Sequence, residues 1–298
     1  MSQDTESSGN YLETQVRTSE IRRFIRVFCS RGLVVFGLVI LIIFLVTAAA
    51  GPLFAPYDPN VQNLKETLAN PSSKHLLGTD FLGRDTLSRL IYGARMSLMV
   101  GVVALAIAAF FGIIAGMLAG FYGSWVNVII MRIVDALLSF PMILLALLLA
   151  GLLGGGLSNV MIAIGVALIP IYARLMYGQV LSIRENDYIL AEKAMGSSHF
   201  RLMFRHILPN ALPPLIVLIT MLIGTAILTE AGLSYLGIGI TPPTPSWGAM
   251  VNDGFQYLLT NPILSFVPGL AIMIVVFAFN MVGDGLRDAF DPRLRGTF

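Results

Sequence analysis

The stretch "DYILAEKAMGSSHFRLMFRHILPN", residues 187–210, is polar and helix-forming in a chain that otherwise runs from one apolar segment to the next. Asn186 or Asp187 is placed to cap a short helix from Tyr188 to Met195, with Gly196 as its stop. Ser197 or Ser198 then caps a second helix, which Leu208-Pro209 is expected to end. In that second helix Phe200, Met203, Phe204 and Ile207 recur at i, i+3, i+4 and i+7, and Arg201 and Arg205 share another side. An apolar ridge flanked by positive charge suits either an interfacial helix on anionic lipid or a docking knob for a soluble partner.

The rest of the chain says what this insert interrupts. With 56% hydrophobic and 12% charged residues and a mean hydropathy of +0.81, the protein lies far from a soluble domain, in which about 25% of residues are charged. It reads as an all-α integral membrane protein. A net charge of +2 gives no footprint for nucleic acid. The lone Cys29 forms no internal disulfide, and His75, His199 and His206 are scattered, so no metal site is expected. No short apolar region with a small-residue cleavage site occurs in residues 1–31, which read as a cytoplasmic tail, disordered over its Ser-, Thr- and Glu-rich first 20 residues.

A hydrocarbon core of roughly 30 Å needs about 20 apolar helical residues. Six runs qualify: Gly32 to about Leu53, Met96 to Phe121, about Val126 to Leu153, about Val160 to Tyr177, about Leu212 to Thr229, and about Leu264 to Gly283. Residues 54–95 become an external loop, closed off from the first span by the prolines of "APYDPN" (55–60) and containing a short amphipathic helix that Thr79 or Asp80 caps. Residues 96–285 form the core, with the cytoplasmic loop at 184–210, and 286–298 a cytoplasmic tail. Arginines and lysines set this orientation. They cluster at Arg17, Arg22, Arg23, Arg26 and Arg31, around the insert at Arg174, Arg184, Lys193, Arg201 and Arg205, and at Arg287, Arg293 and Arg295. Six spans put all three clusters on one side. Lys65, Lys74, Arg84, Arg89 and Arg95 run against the rule, accompanied by Asp58, Glu66, Asp80 and Asp85.

Charges near the spans are few. Arg132 and Asp135, three apart, share a helix face and are expected to pair and snorkel or to line a substrate path. Glu230 and Asp284 read as interfacial groups at span ends. "GIGITPPTPSWGAMVND" (237–253) is an extended outer connection, a loop anchored by Trp247 at the membrane boundary or a rigid lid. Neither a repeat nor midplane charges support a stand-alone secondary carrier or channel, the alternative of another class. A phosphate-binding loop is also missing, since Lys65, Lys74 and Lys193 follow no glycine, and no G-x-S-x-G elbow occurs. No catalytic residue is assigned.

The insert resembles the cytoplasmic motif of the inner-membrane permeases of ATP-binding-cassette importers: E-A-A, three residues, G, nine residues, I-x-L-P. Ala191, Gly196, Leu208 and Pro209 match in spacing; Leu190, Glu192 and His206 stand where glutamate, alanine and isoleucine are usual. "LLGTDFLGRDTLSRLIYGAR" (76–95), "PPTPSWGAM" (242–250) and "AFNMVGDGLRDAFDPRLRG" (278–296) resemble the C-type permease of the dipeptide, oligopeptide and nickel branch. The resemblance implies a six-helix type I importer fold with cytoplasmic coupling helices in the bacterial plasma (inner) membrane, both termini cytoplasmic. It implies a homologous second permease, two ATPases that bind ATP and Mg, an extracytoplasmic substrate-binding protein, and no cofactor on this chain. Ala191, Glu192, Gly196, Phe200, Met203, Phe204, Ile207, Leu208 and Pro209 would form the ATPase contact, and the cargo would be a di- or oligopeptide, with nickel or glutathione as alternatives.

Overall fold

The structure, a computed structural model, describes residues 20–290. The tail at 1–19 and residues 291–298, including Arg293 and Arg295, lie outside them. The described residues are helical, with one isolated bridge between Thr79 and Asp85. A short helix α1 (Glu20–Phe28) leads to α2 (Gly32–Phe54), whose 23 residues carry no charge. Three further uninterrupted helices follow the expected runs but outlast them: α3 (Thr86–Tyr122), α6 (Leu157–Arg184) and α11 (Ile263–Phe290). At 1.5 Å per residue the 37 residues of α3 extend about 55 Å, well beyond a bilayer core.

That length corrects the expected outer loop. No separate amphipathic helix precedes the span. Asp85, rather than Thr79 or Asp80, caps α3 by accepting from the Ser88 amide at 2.8 Å and from its hydroxyl at 2.7 Å. Asp80 instead folds a turn on itself, accepting from the amides of Leu82 and Arg84, both at 2.9 Å.

The third run breaks in two. Helix α4 (Ser124–Leu138) and α5 (Met142–Leu153) meet at 94° across Ser139-Phe140-Pro141. Pro141 has no amide to continue the ladder, and Ser139 turns its hydroxyl onto the Ala136 carbonyl at 2.7 Å. Hydrophobicity is continuous through the bend, so a composition window sees one span where the backbone makes two half-helices. Counting the bent pair as one crossing gives six.

The insert departs from expectation in the opposite way. After α7 (Asp187–Ala194) and the Gly196 turn, the short α8 (His199–Arg201) does not stop at Pro209; it passes through a π-helical segment (Leu202–Ile207) into α9 (Leu208–Tyr235). The Leu208 amide bonds to the Met203 carbonyl, five residues back. The widened turn absorbs a proline that has no amide of its own and would crowd a regular α-ladder.

Close packing centres on α3 and α6. Gly112, Gly116 and Gly120 repeat every fourth residue and face α6 so tightly that a Cβ on Gly116 would sit 2.3 Å from the Ala173 carbonyl oxygen and one on Gly120 2.7 Å from Val180 Cβ. In lipid, where apolar burial drives little association, such small-residue seams let backbones approach. A second cluster joins α2, α9, α11 and α10 (Trp247–Phe255) through Phe44, Ile227, Phe279 and Trp247. Trp247 is therefore not a boundary anchor. It is 2% exposed, stacks 4.9 Å from Phe44 and donates its indole N–H to the Leu90 carbonyl at 2.9 Å.

Candidate functional site

Three polar features stand out, one at each end of the helices and one between.

At one end lies the hairpin of α7, Gly196 and α8. Gly196 adopts φ +82° with open space around it, a left-handed turn that side chains resist. Ser198 caps α8 through the Arg201 amide at 3.3 Å. The expected ridge divides in two. Met203 and Ile207 are buried in the main core with Leu202, whereas Phe200 and Phe204 stack on each other at 4.4 Å and stay 68% and 42% exposed. The π-helical winding rotates the ridge, so α-helical spacing assigned four residues to a face that holds two. Leu190 and Met195 are exposed with them; Ala191 and Pro209 are exposed, and Leu208 is half-buried. Glu192 turns inward. It accepts from the Ser197 hydroxyl at 2.5 Å and stands 3.9 Å from His206 Nε2. The end is fixed to the bundle by Arg184, which donates to the Gly120 carbonyl at 2.9 Å.

Between the ends, the span charges are rearranged relative to expectation. Asp135 pairs with Arg174 of α6 and not with Arg132, which is exposed and makes no ion pair among the described residues. Arg174 is no flank of the insert, since ten residues separate it from the end of α6. Beside it a groove of about 520 Å³, lined by Leu138, Arg174 and Gln179, runs into a cleft of about 710 Å³ reaching Asn210, Pro213 and Arg287. Glu230, near the end of α9, is fully buried, accepting from Ser234 at 2.7 Å and lying 3.5 Å from the Ser97 hydroxyl. Ser234 in turn accepts from the Ile240 amide at 3.2 Å, so the carboxylate ties α9 to α3 and to the chain that follows α9.

At the far end, where the sequence predicts an external loop with a short amphipathic helix, residues 57–85 and the first turn of α3 fold into an ion-paired cap. Asp80 holds Arg84 at 2.6 Å and lies 3.6 Å from Arg89, whose guanidinium also reaches the Pro59 carbonyl at 3.2 Å. His75 bonds Asp85 at 2.8 Å, and Lys74 bonds Glu66 at 2.5 Å. Arg84 faces Asp253 of α10 at 3.8 Å; burial pushes that carboxyl above the usual carboxylate range, against the pull of Arg89 and Arg84. The alternation of acids and bases in "GTDFLGRDTLSR" was the available signal for this network.

Against known proteins, residues 112–296 match the family of binding-protein-dependent transport system inner membrane components, and residues 19–71 match the N-terminal transmembrane domain of oligopeptide transport permease C. A dipeptide transport system permease of Alkalihalophilus pseudofirmus is 44% identical over 88% of this chain and 86% of its own. A di/tripeptide permease of Pseudomonas aeruginosa is 41% identical over 95% of each chain, and a glutathione transport permease of Pectobacterium atrosepticum 41% identical over 92% and 90%. A chain of the inward-facing MetNI methionine transporter shares the fold, with a TM-score of 0.57 at 22% identity over 69% of this chain and 98% of that one. With a family match over more than half its length and relatives above 40% identity along nearly all of it, the chain belongs to the binding-protein-dependent transport system inner membrane components, as a C-type permease of an ATP-binding-cassette importer.

Proposed function

We propose that this permease forms half of a translocation path for di- or oligopeptides and takes its driving force from a cytoplasmic ATPase seated on the hairpin of residues 187–210. One observation carries the coupling assignment: Leu190, Met195, Phe200 and Phe204 stay exposed on a short hairpin that Ile189, Leu202, Met203 and Ile207, all buried, anchor to the bundle. Isolated apolar side chains on rigid short helices suit a groove in a soluble partner. The hairpin continues into α9 without a break, so a push on Phe200 and Phe204 moves a membrane helix as a rigid body. The contact set becomes Leu190, Ala191, Met195, Gly196, Phe200, Phe204 and Pro209, with Leu208 half-buried at its edge; Met203, Ile207 and Glu192 support it from inside.

The complex in this reading adds a homologous second permease facing the Arg174 groove, two ATPases that bind ATP and Mg, and an extracytoplasmic substrate-binding protein. This chain contributes no catalytic group and no cofactor site. It resides in the bacterial plasma membrane with both termini cytoplasmic, in accord with the even number of crossings. The peptide cargo is supported by relatives named for dipeptides and di/tripeptides, and glutathione, itself a tripeptide, falls within the same chemistry.

Reconstitution of the full complex in vesicles tests both parts. Gly196→Pro, which cannot adopt φ +82°, and Phe204→Asp are expected to insert normally and to leave ATP hydrolysis running while peptide uptake is lost. Normal uptake by both variants would remove the coupling assignment. Uptake of nickel(II) but not peptide would move the cargo to the metal, and uptake without ATPases would point to a carrier.

A further inference from the structure

We infer that Arg174 and Asp135 form a charge-exchange station for the substrate, Arg174 taking the peptide's terminal carboxylate in place of Asp135 and Asp135 taking its ammonium; this rests on the peptide reading above. The pair bridges two elements, α4 and α6: Asp135 stands eleven residues into α4 and Arg174 ten residues before the end of α6, about 15 Å along α6 from the end where Arg184 donates to Gly120 of α3. Charges within apolar helices of a membrane protein are expensive and are kept for pathways.

Both side chains are nevertheless open, Arg174 by 55% and Asp135 by 48%. The structural ion pair of the cap, Asp80 with Arg84, is by contrast enclosed, at 10% and 4%. Here the guanidinium instead lines the about 520 Å³ groove that continues past Gln179 toward Asn210, within the about 300–1,000 Å³ range of small-ligand sites. An ion pair that open contributes little net stability, so Asp135 is readily displaced by a carboxylate of the same geometry. Arginine's planar fork makes that exchange specific for carboxylate. A zwitterion satisfies both residues at once as it separates them, and separating them frees the α4 half-helix, hinged at Pro141, from α6.

The test uses the complete complex in vesicles, with the binding protein loaded to equal occupancy with trialanine or trialanine amide. The wild type should move the free acid faster than the amide. Arg174→Gln should slow the acid by at least about tenfold and leave the amide within about twofold, erasing the preference. The reversed pair, Asp135→Arg with Arg174→Asp, should restore the interhelical bridge and normal abundance yet not acid transport. Full recovery of acid transport in the reversed pair, or an equal fall for acid and amide in Arg174→Gln, would overturn the inference and leave a structural clamp. Should the reversed pair fail to fold, Arg174→Lys decides: it keeps the charge but not the fork, and an undiminished acid preference would also overturn the station. Peptide uptake without any acid preference in the wild type sinks this inference alone, whereas a wild type that hydrolyses ATP and moves neither peptide sinks the peptide reading with it.

Discussion

The cap at residues 57–89 and the hairpin at residues 187–210 are the two polar ends of one bundle, and they spend their charges in opposite ways. In the cap every buried ion has a partner inside the chain: Arg84 and Arg89 close on Asp80, His75 on Asp85. In the hairpin Arg201, Arg205, Phe200 and Phe204 are exposed, whereas the charge of Glu192 is bonded back onto the chain. The difference teaches that internal satisfaction marks a folding device, while unanswered side chains on a rigid mount mark a surface for something else. Substitutions in the cap should therefore cost folded protein, and exposed ones in the hairpin should cost coupling.

The largest effect is expected from Asp80→Ala. It removes two turn hydrogen bonds and leaves Arg84 and Arg89, both 3% exposed, with the more distant Asp253 as counter-ion and, for Arg89, the Pro59 carbonyl. Breaking a buried pair from one side costs about 3–5 kcal/mol. Thermal unfolding in detergent and membrane abundance should both fall sharply; a stable variant would mean that the cap is held by its backbone alone. Next comes a contrast within the hairpin. Ile207→Ala empties a fully buried site at about 2–5 kcal/mol, whereas Phe204→Ala, exposed, should change stability by no more than about 1 kcal/mol while still reducing ATP-driven peptide uptake. Equal melting losses for the two would break the division of the ridge into support and contact.

How far the sequence went is visible in the same residues. The six apolar runs were legible because lipid leaves no choice but helix, and so were α7 and the Gly196 turn, which are local, although Asn186 makes no side-chain cap to α7. Trp247, Glu230 and the Asp135–Arg174 pair were not, because each depends on which helix lies alongside, and periodicity carries no such information. Pro141 and Pro209 make the limit clear. Both are prolines in or near apolar runs; one breaks the chain by 94° and the other is absorbed by a π-turn, and the deciding neighbours lie elsewhere in the fold. The apolar ridge of the hairpin was legible in the sequence, but its exposed membership was overcounted because a straight α-helical period does not hold through Leu202–Ile207.

The smallest predicted effect bears on the residue by which this hairpin departs from its family's spacing. Glu192 stands two positions beyond the usual glutamate, and a displaced charge would require a displaced partner if the ATPase read it. The carboxylate instead accepts from the Ser197 hydroxyl while the Ser197 amide bonds the Glu192 carbonyl at 3.1 Å, so the side chain braces the turn around Gly196. Glutamine keeps an acceptor at the same place. Glu192→Gln should therefore leave stability within about 0.5 kcal/mol and uptake unchanged. Glu192→Ala, losing the brace, should cost about 0.5–1.5 kcal/mol and loosen the turn enough to lower coupling in part. If Glu192→Gln alone abolished coupling at normal abundance, the negative charge itself would be engaged by a partner, and the hairpin would have to be counted as using its acid as openly as it uses Phe200 and Phe204.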